Sequence, residues 1–291
     1  MSIKNITVIG VGLIGGSFAK GLKSHGFKGR ILGYGSNPEK LKRAVSLKVV
    51  DDFALDIKTA VENADLIMVS VPMGAFLSIF NQIKPHLKPH TIITDAGSSK
   101  VSVIQSAEAV FGNQFPLFIP AHPIAGKEQS GVEAADENLY EQHKVILTPT
   151  HYTDKTALNQ VKQLWTSLGA NLFEMSAEKH DDVLAASSHL PHLLAFAIVD
   201  LLADNKELPE VFEFTAGGFK DFSRIASSDP TMWRDITQNN STAIVKWLKN
   251  YQTELNKIID LVENNQQQAL FQLFSDAKKT RDECMLDKRR E

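Results

Sequence analysis

Short apolar runs alternate with amphipathic segments over the first 175 residues. The segments between the runs carry apolar residues at helical spacing, and several end at a glycine. This alternation is typical of a parallel sheet covered by helices on both faces. We therefore predict an α/β, Rossmann-type, doubly wound parallel sheet over residues 1–175. Its strands are expected at NITVIGVG, GRILGYG, ADLIMVSVP, TIITDAGS, FPLFIPAHP, HKVILTP and ANLFEMS.

The pattern becomes helical after Ser176. An apolar face recurs at i, i+3, i+4 and i+7 from Leu190 to Leu202, and Asp229 followed by Pro230 predicts the start of a long helix. Along that helix a seam with heptad-like spacing indicates either packing within the chain or pairing of helices between two chains. We predict an all-helical domain over residues 176–291 that forms a homodimer. The seam consists of Ile244, Leu248, Tyr251, Leu255, Ile258 and Val262.

Composition narrows the class of protein. The chain has 291 residues, 43% of them hydrophobic, and a formal charge of -3, which gives no reason to expect a nucleic-acid partner. A single cysteine, Cys284, excludes an intramolecular disulfide framework and a zinc site built from cysteines. The first strand begins at once, without a signal peptide, and no apolar run reaches the ~18 residues that cross a bilayer. We expect a cytoplasmic protein with no membrane segment.

A glycine-rich turn follows the first strand. Gly10, Gly12 and Gly15 form G-x-G-x-x-G between a strand and a helix, with Leu13 and Ile14 at the helix start. Such a turn lets the backbone and the helix N-terminus approach the pyrophosphate of a dinucleotide. It predicts a nicotinamide dinucleotide site.

The residue that would choose between NAD and NADP is missing. An acid is expected at the end of the second strand to bind the ribose hydroxyls, but that stretch reads Gly35, Ser36, Asn37. No arginine stands there for a 2′-phosphate. Ser36 and Asn37 can bond either sugar, so the cofactor choice stays open, with a slight preference for NAD.

Candidate catalytic groups follow the later strands. His122 lies between an apolar run and two turn-forming residues in FIPAHPIAGKEQSG, and Ser98 lies in DAGSSK. His189 and His192 are three residues apart and share a helical side. Pro191 between them removes one backbone bond and predicts a kink. Together these residues predict a site at the carboxyl ends of the strands.

An arginine cluster completes the candidate site. Arg224 follows the flexible pair that begins at Gly217, with Asp221 and Trp233 nearby. Because apolar residues flank it, Arg224 is expected to be partly buried, where a guanidinium suits a carboxylate ligand. Histidines at i and i+3 without a matching carboxylate are a poor metal set, so no metal is expected.

Six motifs in order make the chain resemble the prephenate and arogenate dehydrogenases of tyrosine biosynthesis. The resemblance implies a Rossmann domain, a helical dimerisation domain and an active site between them. It also implies oxidative decarboxylation of prephenate to 4-hydroxyphenylpyruvate, with hydride transfer to NAD(P). The motifs are GVGLIGGS, TDAGSSK, HPIAGKEQSGV, LYEQHKVILTPT, SSHLPHLLAFAIVD and GGFKDFSRIASSDPTMWRDI.

The resemblance also assigns roles. His122 matches the catalytic histidine, and Ser98 a serine near the substrate hydroxyl and the nicotinamide. Arg224 matches the carboxylate-binding arginine, and Lys127 and Gly35 depart from the usual threonine and aspartate. The remaining matches are the paired His189 and His192, the gating acid Glu128, and the substrate-side Asp221, Trp233 and Gly217.

Other functions remain open. An arogenate or cyclohexadienyl dehydrogenase would use the same residues on a broader range of substrates. A β-hydroxyacid or imine reductase would share the two domains but not the three motifs HPIAG, SHLPH and GGFKDFSR. A nucleotide sensor without turnover would need the glycine turn alone.

Overall fold

A computed structural model describes residues 3–127 and 129–286 of the chain. The chain forms two compact units, Met1–Ser241 and Thr242–Glu291. The predicted boundary between residues 175 and 176 lies inside the first unit, and it stays a prediction.

Six parallel strands form the main sheet of the first unit, in the order β3-β2-β1-β4-β5-β6. This is the Rossmann order, so the predicted fold class is confirmed. The order reverses between β1 and β4, which places a crevice beyond their carboxyl ends. The strands are β1 (Asn5–Ile9), β2 (Arg30–Tyr34), β3 (Asp52–Ala54), β4 (Leu66–Val69), β5 (Ile92–Asp95) and β6 (Phe118–Ile119).

A second sheet begins where the predicted strand FPLFIPAHP breaks. The chain leaves β6 and, after Pro120, starts β7 (Ala121–Ile124), which pairs antiparallel with β8 (Lys144–Leu147). β8 pairs parallel with β9 (Asn171–Glu174). The prediction of one continuous strand was therefore wrong. Proline has no N–H to continue a ladder, so the run divides there between two sheets.

Helices cover both faces of the main sheet. Alternate residues of β4 supply two separate cores: Leu66 and Met68 lie in one, Ile67 and Val69 in the other. The short β3 and α3 were not predicted from the sequence. The helices before the helical region are α1 (Leu13–Ser24), α2 (Pro38–Ser46), α3 (Ile57–Val61), α4 (Phe76–Ile83), α5 (Val101–Phe111) and α6 (Lys155–Ser167).

The helical region departs from prediction at two points. A π-helical turn, Ala185–His189, precedes α8, so Pro191 falls in the first turn of a new helix, where its missing N–H costs no bond. The long helix predicted from Pro230 stops at Asn239 and restarts at Ser241. The helices are α7 (Ala177–Leu184), α8 (Leu190–Ala203), α9 (Gly217–Ser223), α10 (Pro230–Asn239), α11 (Ser241–Glu263) and α12 (Gln267–Leu286).

The helical stretch Ala177–Ala203 has 27 residues and a mean hydropathy of 1.4 over its most apolar window. By length and composition it could cross a membrane, so the expectation that no run reaches this length was too strict. One such helix is weak support for a membrane span, because core helices of folded proteins share these properties. Here His180, Asp181 and His189 of the stretch are buried and hydrogen-bonded within the first unit.

The second unit contains most of α11 and all of α12. Several of its large apolar side chains are exposed in the single chain, including part of the predicted seam. These exposed residues are Val245, Tyr251, Leu255, Ile259, Val262, Phe271 and Phe274.

Candidate active site

The glycine turn joins β1 to α1 beside the end of β4. Gly10 has a φ of +92°, and a Cβ there would lie 2.3 Å from the carbonyl oxygen of Ser70. A Cβ on Gly15 would lie 2.1 Å from the Ser70 hydroxyl oxygen, which itself donates to the Gly10 carbonyl at 2.7 Å. Only glycine fits at both positions, because backbone and Ser70 close the turn.

The turn leaves room for an anion at the start of α1. No heavy atom lies within 4 Å of the position that a Cβ on Gly12 would take. No side chain caps α1 and no acid occurs in its first turn, all of which the structure describes. The first N–H groups of a helix, here from Leu13 and Ile14, have no intrahelical acceptor. These residues fit the pyrophosphate of a dinucleotide.

A buried ion pair restrains the backbone next to His122. Asp95, at the end of β5, and Lys100, just before α5, are both 0% exposed, and the ammonium donates to the carboxylate. Lys100 Nζ also donates to the Ala121 carbonyl at 2.8 Å, and Asp95 accepts from the Ala121 amide at 3.0 Å. Both backbone polar groups of the residue before His122 are thus bonded to one ion pair.

His122 belongs to a line of three hydrogen-bonded side chains. Its Nδ1 lies 2.9 Å from Nε2 of His180, and Nδ1 of His180 lies 2.7 Å from Oδ1 of Asp181. His180 and Asp181 are buried, while His122 is only partly buried. The free Nε2 of His122 is therefore its remaining reactive nitrogen.

The two histidines predicted as a pair have different surroundings. His189 is 2% exposed, and its Nδ1 accepts a hydrogen bond from the Asn240 amide at 3.2 Å. His192 is partly buried, donates from Nδ1 to the Ser188 carbonyl at 2.9 Å, and stacks on Trp233 with ring centroids 3.9 Å apart. His189 is thus held by the core, whereas His192 is held by Trp233.

Burial lowers the basicity of this histidine cluster. Desolvation, with the nearby His180, Lys100 and His189, holds the pKa of His122 well below its ordinary 6.5. Burial lowers the pKa of His180 against the opposing effect of Asp181, and lowers the pKa of His189 to about 4. These histidines are therefore neutral at neutral pH.

Arg224 lies near the same cluster. Its positive charge contributes to a lowered pKa of His192, after the larger effect of burial. The side chain is exposed, so the expected partial burial was wrong; of its apolar neighbours, Phe222 is itself 41% exposed. An exposed guanidinium remains able to bind a carboxylate.

The other predicted residues are less closely connected to the cluster. Ser98 is partly buried in the loop between β5 and α5, and Gly217 and Asp221 are exposed in α9. Glu128 lies outside the described residues. The roles assigned to all of these residues stay predictions.

At the end of β2, Ser36 and Asn37 are exposed, and the Asn37 side chain caps α2 by accepting from the Lys40 amide at 3.1 Å. Gly35 lies beside the glycine turn, because the Gly10 amide donates to the carbonyl of the preceding Tyr34 at 2.8 Å.

Five residues that hold the site together were not predicted from the sequence: His180, Asp181, Asn240, Asp95 and Lys100. Their partners lie up to 81 residues away, as in the bond from the Lys100 amide to Asp181. Only the adjacent His-Asp pair in EKHDDV offered a local sign. Among the described residues, no group of three or more His, Cys, Asp or Glu is placed to hold a metal ion.

Two family models match the chain. The prephenate dehydrogenase nucleotide-binding domain matches residues 18–174, and the prephenate dehydrogenase dimerization domain matches residues 176–276. The first match begins after the glycine turn. Together the two cover most of the chain.

Individual relatives match over almost the full chain. A prephenate dehydrogenase of Bacillus subtilis is 38% identical over 95% of this chain and 75% of its own length. A cyclohexadienyl dehydrogenase of Zymomonas mobilis is 34% identical over 96% of this chain and 95% of its own. The crystal structure of a prephenate dehydrogenase from A. aeolicus, in complex with hydroxyphenyl propionate and NAD+, has a TM-score of 0.91 and 40% identity. It covers 97% of this chain and 99% of that one.

Proposed function

This chain belongs to the prephenate dehydrogenase family, and from that premise we propose that it oxidises prephenate to 4-hydroxyphenylpyruvate with His122 as general base. The predicted class, an oxidoreductase, is confirmed by the same membership. The observation that carries the role of His122 is its geometry: Nδ1 is bonded to a buried partner, and Nε2 is left for the substrate.

The reaction needs one base and one carboxylate anchor. Nε2 of His122 accepts the proton of the ring hydroxyl as the C–H bond at the carbon that carries this hydroxyl breaks. When bound, NAD+ accepts the hydride from that carbon. The bond to the ring carboxylate then breaks, CO2 leaves, and its electron pair completes the aromatic ring. The oxygen regains a proton and becomes a phenol. A positioned general base contributes about 10²–10⁴-fold to such a step.

Arg224 holds a substrate carboxylate, and this fixes the reacting carbon relative to His122. The charge of Arg224 contributes to the lowered pKa of His192, whose ring is stacked on Trp233. Arg224 and the stacked pair of rings therefore belong to one cluster. Ser98 bonds the substrate hydroxyl from the β5 side. The same set would accept arogenate, which differs from prephenate only in its side chain.

NAD+ is the oxidant. The glycine turn supports the proposal that a pyrophosphate binds there. It is closed by backbone and Ser70 at Gly10 and Gly15 and is open at Gly12. The solved A. aeolicus relative contains NAD+. NADP+ remains the alternative to test, because the position that usually carries an acid is Gly35.

The assembly is a homodimer. The matching family model is described as a dimerization domain, and the single chain exposes seam residues such as Tyr251 (37%), Leu255 (42%) and Val262 (57%). Light scattering after size exclusion should give twice the mass of the chain. A monomer at micromolar concentration would contradict the assembly.

Purified protein mixed with prephenate and NAD+ should form reduced cofactor and 4-hydroxyphenylpyruvate in equal amounts. His122→Asn should lower kcat by about 10²–10⁴ with KM largely kept. His143→Asn serves as the matched control, because His143 is exposed and bonded within its own turn. Full turnover by His122→Asn would exclude His122 as the base. Turnover with arogenate but not with prephenate would show that arogenate is the substrate.

A further inference from the structure

The pair His180 and Asp181 does more than fill the space behind His122. His180 and Asp181 lie in the middle of α7, and His180 is 58 residues from His122 in the sequence. Yet the two histidine rings and the carboxylate form one continuous line of hydrogen bonds, 2.9 Å and 2.7 Å long. The direction of each bond in this line can be worked out from its buried end.

The buried end is Asp181. Its Oδ1 accepts from the Lys100 amide at 2.7 Å, and its Oδ2 accepts from the Val101 amide at 3.0 Å. Backbone amides only donate, and an ionised carboxylate only accepts. Nδ1 of His180 must therefore carry a proton and donate it to Asp181.

The proton on Nδ1 of His180 determines the bond between the two rings. A neutral histidine with a proton on Nδ1 has a lone pair on Nε2, so His180 accepts the bond from His122. Nδ1 of His122 must then carry the proton, which leaves the lone pair on Nε2. Burial lowers the pKa of both rings, consistent with the neutral forms.

We propose that His180 and Asp181 are positioning residues that set the tautomer of His122 and so leave its Nε2 able to accept the substrate proton. The inference rests on the proposed function. Without this pair, His122 would be free to carry its proton on Nε2. A protonated Nε2 has no lone pair, so it could not accept the substrate proton. Asp181 also caps α5 through the Lys100 and Val101 amides, so the start of that helix fixes the line in place.

Two substitutions at His180 separate tautomer control from packing. His180→Gln keeps an oxygen that can accept from Nδ1 of His122, whereas His180→Leu fills the space without an acceptor. We expect His180→Leu to lower kcat by about 10- to 100-fold, the range found when the hydrogen-bond partner of a metal-ligating histidine is removed, with KM for prephenate largely kept. His180→Gln should retain clearly more activity. Equal kcat values in the two variants would overturn the proposal.

Asp181→Ala gives an independent test should His180→Leu fail to fold. It removes the carboxylate that accepts from Nδ1 of His180, so the proton of His180 is no longer held on that nitrogen. The His180 and His122 rings can then both reverse, and the proton of His122 can move to Nε2. We expect kcat to fall by at least about 10-fold, with KM for prephenate largely kept. Wild-type turnover in a folded Asp181→Ala protein would overturn the proposal.

Nitrogen NMR reads the tautomer directly. In full-length protein labelled at its nine histidines, the His122 signals are those lost in His122→Asn. The wild type should show a protonated Nδ1 and an unprotonated Nε2, and Asp181→Ala should show a population with the proton on Nε2 instead. A proton on Nε2 of His122 in the wild type would refute the assignment. This readout needs no turnover, so failure of the proposed reaction and failure of the tautomer assignment are distinguishable.

Discussion

Replacing Gly35 by aspartate should raise the preference of the protein for NAD+ over NADP+. Gly35 lies at the end of β2, where relatives of this fold place the acid that binds the ribose hydroxyls. A Cβ at Gly35 would meet only Leu41 Cδ2, at 3.8 Å, an ordinary contact, and no positive φ is required. The variant should therefore fold without strain.

The size of the effect follows from the bonds gained. A carboxylate that accepts a ribose hydroxyl gains a charged hydrogen bond of about 1.5–3 kcal/mol, which corresponds to roughly 10- to 150-fold in affinity. Because the neighbouring Ser36 and Asn37 are exposed, we expect the lower end of this range. The KM for NAD+ should fall about 10-fold, while the like charge of a 2′-phosphate should raise the KM for NADP+.

Initial rates with NAD+ and NADP+ at saturating prephenate measure the two KM values. Gly35→Asn has the same shape without the charge and is the matched control. The ratio of kcat/KM for NAD+ over NADP+ should rise at least 10-fold in the aspartate variant relative to Gly35→Asn. An equal ratio in the two variants would show that the ribose does not bind at this strand end.

Three further results are expected. Because the pKa of His122 is lowered, kcat/KM should rise with pH and level off, with its acid midpoint below 6.5; a midpoint above 6.5 would contradict this. Arg224→Ala should raise the KM for prephenate by roughly 10- to 150-fold, a charged hydrogen bond lost, and an unchanged KM would exclude it as the anchor. Lys100→Met should lower the free energy of unfolding by about 3–5 kcal/mol, since Asp95 loses its buried partner. Thermal melts should then fall by roughly 6–20 °C, and a smaller change than about 1 kcal/mol would contradict the pairing.

Local patterns were sufficient for most of the six-stranded parallel sheet, because strand and helix periodicities and the glycine turn depend on residues close in sequence. The prediction that HKVILTP and ANLFEMS belong to that sheet was wrong, since they form β8 and β9 of the second sheet. The errors occurred where a distant contact overrides the local pattern. The helix predicted from Pro230 is interrupted at Asn240, whose side chain donates to the Asp181 carbonyl at 2.8 Å and to His189.

The candidate site was predicted only in part for the same reason. His122 and Arg224 stand in motifs that the sequence displays, whereas His180 is unremarkable until the fold brings it to His122. The pairing of His189 with His192 followed from helical spacing, but spacing cannot say which ring is buried. A π-helical turn ending at His189 and the stacking of His192 on Trp233 decide that.

Lys100 connects these parts of the molecule. Its ammonium bonds Asp95 of the main sheet and the Ala121 carbonyl of the second sheet, while its backbone amide bonds Asp181 of α7. The backbone before His122 and the carboxylate that bonds His180 are thus both bonded to Lys100. In the proposed mechanism, these contacts fix the position and the tautomer of the His122 ring before the reaction, which lowers the entropy lost on reaching the transition state. The bonds to Asp95 and to the Ala121 carbonyl offset the desolvation cost of the buried Lys100 ammonium.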